Sequence, residues 1–292
     1  MLVKGSIVAL ITPFHEDGSV NFEKLGKLLE FHVQHKTDGI LVLGTTGETP
    51  TMTHDEDDSI VKYTIDKVNK RIPVYVGAGS NCTNTMLTYC QKYEAMGADA
   101  LLVISPYYNK ANAEGMYQHF KVVADAVNIP LILYNVPGRT GCSIPYDVVR
   151  KLSKHKNVAA IKEASGDISY LSKVSRLASD DFFIYSGNDD MVVPTMSLGG
   201  SGVISVTANL LPELMHNMVY NYLEGAVDTS RDLQLKYLDL INALFIETNP
   251  IPIKEAMNLA NMGVGGYRLP LTHMAEANRE KLKTVMKEAG VL

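Results

Sequence analysis

An apolar run, Asn157-Val158-Ala159-Ala160-Ile161, leads directly into Lys162 and then Glu163-Ala164-Ser165-Gly166. A strand buried on both faces reads as near-continuous apolar sequence, so a charge at its far end needs a reason. A lysine ammonium is inert as a nucleophile, but burial among apolar walls disfavours the charged form and lowers a lysine's pKa from roughly 10.4. The neutral amine that results can attack a ketone. The plainer alternatives are a side chain that snorkels to solvent, or one that pairs with a carboxylate such as Glu163. The rest of the chain's unusual chemistry decides between them.

Other reactive types also stand just past apolar runs. After Gly39-Ile40-Leu41-Val42-Leu43 comes Gly44-Thr45-Thr46-Gly47-Glu48. Its glycines let backbone N–H groups approach a ligand, and its hydroxyls can donate to a carboxylate. Leu101-Leu102-Val103-Ile104 runs into Ser105-Pro106-Tyr107-Tyr108-Asn109, which brings paired phenols. Leu131-Ile132-Leu133-Tyr134-Asn135 precedes Val136-Pro137-Gly138-Arg139-Thr140-Gly141. Tyr134 could pass protons beside the lysine, and Arg139 in its Pro-Gly turn could grip a carboxylate through two parallel hydrogen bonds. Taken singly, these residues also fit a plain turn, core or interface tyrosines and a surface arginine. Tyr185-Ser186-Gly187-Asn188-Asp189-Asp190 and Gly202-Val203-Ile204-Ser205-Val206-Thr207 could close the same pocket with small side chains and backbone groups.

The set holds one amine nucleophile, several proton-carrying hydroxyls and one guanidinium. It lacks a G-x-G-x-x-G, a Walker loop and a metal cluster; His32 and His35 stand at i and i+3 with no H-E-x-x-H. Such an inventory suits carbon–carbon bond chemistry through an imine, in which a protonated Schiff base is the electron sink and no cofactor is needed.

These residues need a scaffold that gathers strand ends. Short β-rich runs at 6–12, 39–43, 73–77, 99–104, 131–135, 158–162, 182–185 and 202–206 alternate with amphipathic patterns. Those patterns fall near 21–36, 54–70, 83–96, 114–127, 145–154, 167–178, 189–198 and 211–223. Eight strand–helix units predict a closed parallel (β/α)8 TIM barrel, an α/β fold whose active site lies at the C-terminal strand ends. From about 228 the patterns are helical only. The expected division is a catalytic barrel over 1–224 and a C-terminal helical domain over 225–292. Thr53-His54-Asp55-Glu56 reads as a capping box, Asn81-Cys82-Thr83-Asn84 supplies capping types, and Pro250 and Pro252 suit the start of a helix.

The 292 residues are 46% hydrophobic and 20% charged, ordinary for a globular protein with a sizeable core. A net charge of −5 with no basic stripe argues against nucleic acid and anionic membrane as partners. Cys82, Cys90 and Cys142 form no C-x-x-C pair and read as reduced thiols. The opening Met1-Leu2-Val3-Lys4-Gly5 with Ser6–Ile11 is too short for a signal segment or a membrane span, so a cytoplasmic location is expected.

The segments Gly44–Glu48, Tyr134–Gly141 and Ile161–Gly166 together resemble the dihydrodipicolinate synthase family of the pyruvate-dependent class I aldolase superfamily. The likeness runs from Gly5-Ser6-Ile7-Val8-Ala9 to Arg268-Leu269-Pro270-Leu271. It implies condensation of pyruvate with L-aspartate 4-semialdehyde, the first committed step toward diaminopimelate and lysine. It further implies that Lys162 forms the Schiff base and that Tyr134, Thr45 and Tyr108 relay protons. Thr46 and nearby backbone would hold the pyruvate carboxylate, with Ile204 and Gly187 on its other side, and Arg139 would receive the aldehyde's carboxylate. In this family the residue at Tyr108 reaches a neighbouring subunit, which implies at least a homodimer and most commonly a homotetramer.

N-acetylneuraminate lyases and sugar-acid aldolases share the lysine and tyrosine, but Arg139 and Thr45 resemble the synthases instead. A catalytically silent barrel is the remaining alternative. Some synthases are inhibited by lysine at a cleft between subunits, and the matching positions here are Thr49, His54, Asp57, Asn81, Thr85 and Tyr107. Asp57 and Thr85 depart from the histidine and glutamate of sensitive members, so insensitivity to lysine is expected.

Overall fold

The computed structural model describes residues 2–292. Eight parallel strands close into a barrel in sequence order, each strand pairing with the next and β1 with β8. The strands are β1 Gly5–Ala9, β2 Gly39–Val42, β3 Val74–Gly77, β4 Ala100–Ile104, β5 Leu131–Asn135, β6 Val158–Glu163, β7 Phe183–Ser186 and β8 Gly202–Ser205. The eight-unit reading therefore holds, with ends displaced by a few residues at most.

The largest displacement has a physical cause. The apolar run of β1 continues past Ala9, but the Ile11 N–H donates to the Asn209 side chain (3.0 Å) and the Asn209 amide donates to the Ala9 carbonyl (2.8 Å). A side chain thus takes over the backbone groups that another strand residue would have used. At the seam between β1 and β8, Gly5 and Gly202 are register partners with φ of 149° and 146°, and a Cβ on Gly202 would lie 1.9 Å from the Gly5 carbonyl oxygen. Glycine is required for the barrel to close there.

Side chains alternate between two cores. Ile7, Ala9, Leu41, Ile132, Ala160 and Ile204 belong to the inner core, whereas Val8, Ile40, Leu133, Ile161 and Val203 pack in the outer core with the surrounding helices. The period of two that puts Ile132 and Ala160 inside also sends Tyr134 and Lys162 inside, one layer nearer the C-terminal mouth. Helix starts follow local chemistry. Thr53 makes both halves of a capping box with Glu56 at the head of His54–Val68. At Thr83–Met96 the cap is Cys82, whose side chain makes no capping bond, so the capping types read there do not act as caps.

The last barrel helix is Pro212–Leu223, and Gly225 follows with φ of 86°. Helices Val227–Lys236, Leu238–Ala243, Ile251–Leu259 and Glu276–Glu288 come after it. Ile253, Ala256, Met257, Leu282 and Met286 join the outer core, so this tail packs on the barrel. Among the described residues no helix is long and apolar enough to cross a membrane.

Candidate active site

Lys162 and Tyr134 are direct register partners on β6 and β5, which turns their shared inward direction into contact. Lys162 Nζ lies 4.5 Å from the Tyr134 ring centroid, and the two residues are only 6% and 7% exposed. The snorkelling alternative is thereby excluded. Pairing with Glu163 is excluded too: that side chain points the other way on the strand, accepting from the Asn135 amide (2.7 Å) and the Ser165 N–H (2.7 Å). Burial pushes the Glu163 carboxyl up, opposed by those hydrogen bonds.

A cavity of about 400 Å³ opens above the pair. Thr45, Thr46, Tyr134, Arg139, Lys162 and Gly187 all line it. Gly187 is there for space, since a Cβ at that position would come within 3.0 Å of Lys162 Cε and 2.6 Å of Ala164 Cβ. Arg139 sits in a single helical turn, Pro137–Thr140, with the proline at its first position, and its Nη2 donates to the Asn249 carbonyl (3.1 Å). Thr46 is 3% exposed, and its hydroxyl accepts from the Asn249 amide (3.0 Å). Thr45 is shared with a second cavity of about 550 Å³, which also contains Tyr107, Thr49, His54, Asp57 and Thr85.

Two of the residues named from the sequence stand apart. Ile204 is fully buried in the inner core and does not line the cavity. Tyr108 is 92% exposed, with φ of 67°, and does not line this chain's own cavity. The structure does not bring its phenol to Lys162 within one chain.

Two contributions escaped the sequence reading. The segment after Ala243 crosses the barrel mouth and lines the cavity with Phe245, Glu247, Thr248 and Asn249. Its only signal in the sequence, Asn249-Pro250-Ile251-Pro252, reads as a helix start, which it also is. Just past the C-terminal ends of β7 and β8, Asp189 is 1% exposed and accepts from the Val206 and Thr207 N–H groups (3.1 and 2.7 Å) and from the Thr207 hydroxyl (2.7 Å). Burial pushes its carboxyl up, and these bonds, with nearby Lys162, pull it back. It ties the ends of β7 and β8 together.

An eight-stranded barrel whose mouth holds a buried lysine against a strand-end tyrosine is the architecture of a class I aldolase-type lyase. The model of the dihydrodipicolinate synthetase family matches residues 2–289, and the chain belongs to that family. It is 53% identical over 291 residues, all of both chains, to the 4-hydroxy-tetrahydrodipicolinate synthase of Clostridium perfringens. Among solved structures it resembles the dihydrodipicolinate synthase of Thermotoga maritima, with a TM-score of 0.97, 39% identity and both chains fully covered. It is likewise similar to the chloride-inhibited Acinetobacter baumannii enzyme complexed with pyruvate, with a TM-score of 0.96, 40% identity and both chains fully covered.

Proposed function

We propose that this chain is a 4-hydroxy-tetrahydrodipicolinate synthase that condenses pyruvate with L-aspartate 4-semialdehyde through an imine on Lys162, opening the route to diaminopimelate and lysine. The observation that carries the reading is the Lys162–Tyr134 contact at the floor of a cavity whose walls supply Thr45, Thr46 and Arg139.

In this reading the Lys162 amine, once it has given up a proton, attacks the keto carbon of pyruvate. The carbinolamine loses water once its oxygen is protonated, and Tyr134 is placed to deliver that proton. Loss of a methyl proton gives the enamine, whose carbon attacks the aldehyde carbon of the second substrate, and the new alkoxide takes up a proton. The substrate's own amine then attacks the imine carbon, closes the ring and releases Lys162. Thr46 and adjacent backbone N–H groups hold the pyruvate carboxylate, with Gly187 and, from beneath, Ile204 shaping the other side. Arg139 grips the carboxylate of the semialdehyde.

Thr45 and Tyr108 complete the proton relay in our reading, with Tyr108 supplied by a neighbouring copy. Its near-complete exposure and the partial exposure of Tyr107 (38%) support an assembly there, which we take to be a homotetramer built from dimers. We also divide the chain into a barrel over 1–224 and a helical domain over 225–292, supported by the helix end at Leu223 and the turn at Gly225. A coupled assay offering pyruvate with either L-aspartate 4-semialdehyde or N-acetylmannosamine tests the assignment. Turnover with the semialdehyde alone is expected, and turnover with the sugar alone would reassign the chain to the lyases.

A further inference from the structure

We propose that Glu247 is the subsite for the ammonium group of the second substrate, and so selects an α-amino acid aldehyde over one that lacks the amine. This deepens the function proposed above and rests on it.

The charges in the cavity are few. Lys162, Arg139 and Glu247 are its only charged lining residues among those described. Lys162 is committed to the keto acid and Arg139 to a carboxylate, which leaves one group to meet a positive charge. The other acids nearby do not reach the cavity: Glu163 has both oxygens bonded, Asp189 is held by Val206 and Thr207 through one oxygen while its other oxygen is buried without a partner, and neither residue lines the cavity.

Glu247 is also held in place with an oxygen to spare. Its Oε1 accepts from the Ala275 N–H (3.0 Å) and the Asn278 amide (2.7 Å), at the head of helix Glu276–Glu288. Oε2 has no hydrogen-bond donor, and Glu247 forms no ion pair among the described residues. Arg139 is fastened to the same strap two residues further along, through its bond to the Asn249 carbonyl. A guanidinium and an unpaired carboxylate thus share one short segment. That arrangement matches a zwitterion that carries a carboxylate and an ammonium on a single carbon.

The plainer role for Glu247 is to cap the helix at Ala275 and fix the strap. Glu247→Gln separates the two, because the glutamine keeps an acceptor oxygen for Ala275 and Asn278 and removes only the charge. The measurement compares the KM for L-aspartate 4-semialdehyde with the inhibition constant of succinate semialdehyde, which has the carboxylate and aldehyde but no amine. Borohydride trapping of pyruvate is followed alongside. The expected result for Glu247→Gln is a KM raised about tenfold, with the succinate semialdehyde constant and pyruvate trapping unchanged. An unchanged KM, or a parallel shift in both constants, would overturn the subsite while leaving the synthase reading intact. Absence of a pyruvate adduct in the unsubstituted protein would overturn both.

Discussion

Glu48 and Lys254 form an ion pair at 2.7 Å with both side chains fully buried, joining the β2 loop to the helix Ile251–Leu259. Glu48 ends the segment that carries Thr45 and Thr46. Its second oxygen accepts the Arg268 N–H (3.2 Å), while Lys254 also donates to the Thr12 carbonyl (3.1 Å) and lies 4.4 Å from the Phe14 ring centroid. Thr12 in turn donates its hydroxyl to the Gly47 carbonyl (2.6 Å). Burial lowers the Lys254 pKa, and Glu48 opposes that shift. The tail therefore braces the active-site loop from behind.

Removing one member of a buried pair strands the other charge, at a cost of about 3–5 kcal/mol. Lys254→Met is expected to lower the urea midpoint strongly, and Glu48→Gln combined with Lys254→Met to recover much of the loss. Equal midpoints for Lys254→Met and the unsubstituted protein would show that the pair is not a brace.

The proposed function gives Arg139 the second substrate and not the first. Arg139→Ala is expected to keep the pyruvate adduct while kcat/KM for the semialdehyde falls about a hundredfold, the upper range for losing hydrogen bonds between charged groups. Unchanged turnover would remove its anchoring role.

We expect the cavity near Thr49, His54, Asp57, Thr85 and Tyr107 to offer lysine a poor site. Thr85 is neutral, and burial pushes the Asp57 carboxyl up to about 7, so neither gives an effector ammonium a full negative partner at neutral pH. Millimolar lysine is expected to leave the rate unchanged. Strong inhibition at sub-millimolar lysine would contradict this.

Burial holds the His32 imidazole down at about 3, where its Nδ1 shares a hydrogen bond with Thr37 (2.8 Å). Between about 3 and 6.5 the unfolded chain binds a proton that the native protein refuses. This contribution to stability is complete above about 6.5 and falls away as pH drops, by up to about 1.4 kcal/mol per pH unit. Unfolding of His32→Gln should show a shallower acid dependence than the unsubstituted protein. Parallel profiles would contradict the assignment.

Much of this architecture is legible in the chain because its determinants are local. The apolar run Leu131–Asn135 is β5 to the residue, and the capping box at Thr53 forms as the spacing indicates. Strand ends expose chemistry that a barrel must collect at one mouth, which is why Lys162, Tyr134, Thr45 and Arg139 could be grouped before any coordinates. The strap and the brace could not. Asn249 meets Thr46 across 203 residues and Lys254 meets Glu48 across 206, and neither member carries a periodic or motif signal for the other. Lys254 in particular reads as an ordinary helix lysine until the fold buries it. Whatever completes the site from a second chain, as proposed for Tyr108, lies beyond the reach of one sequence for the same reason.

The most direct test of the account is reduction with borohydride in the presence of pyruvate, followed by intact mass and peptide mapping. One pyruvate-derived adduct on Lys162 is predicted, and none in Lys162→Ala. No adduct, or an adduct on a different lysine, would contradict the claim that this buried amine is the nucleophile.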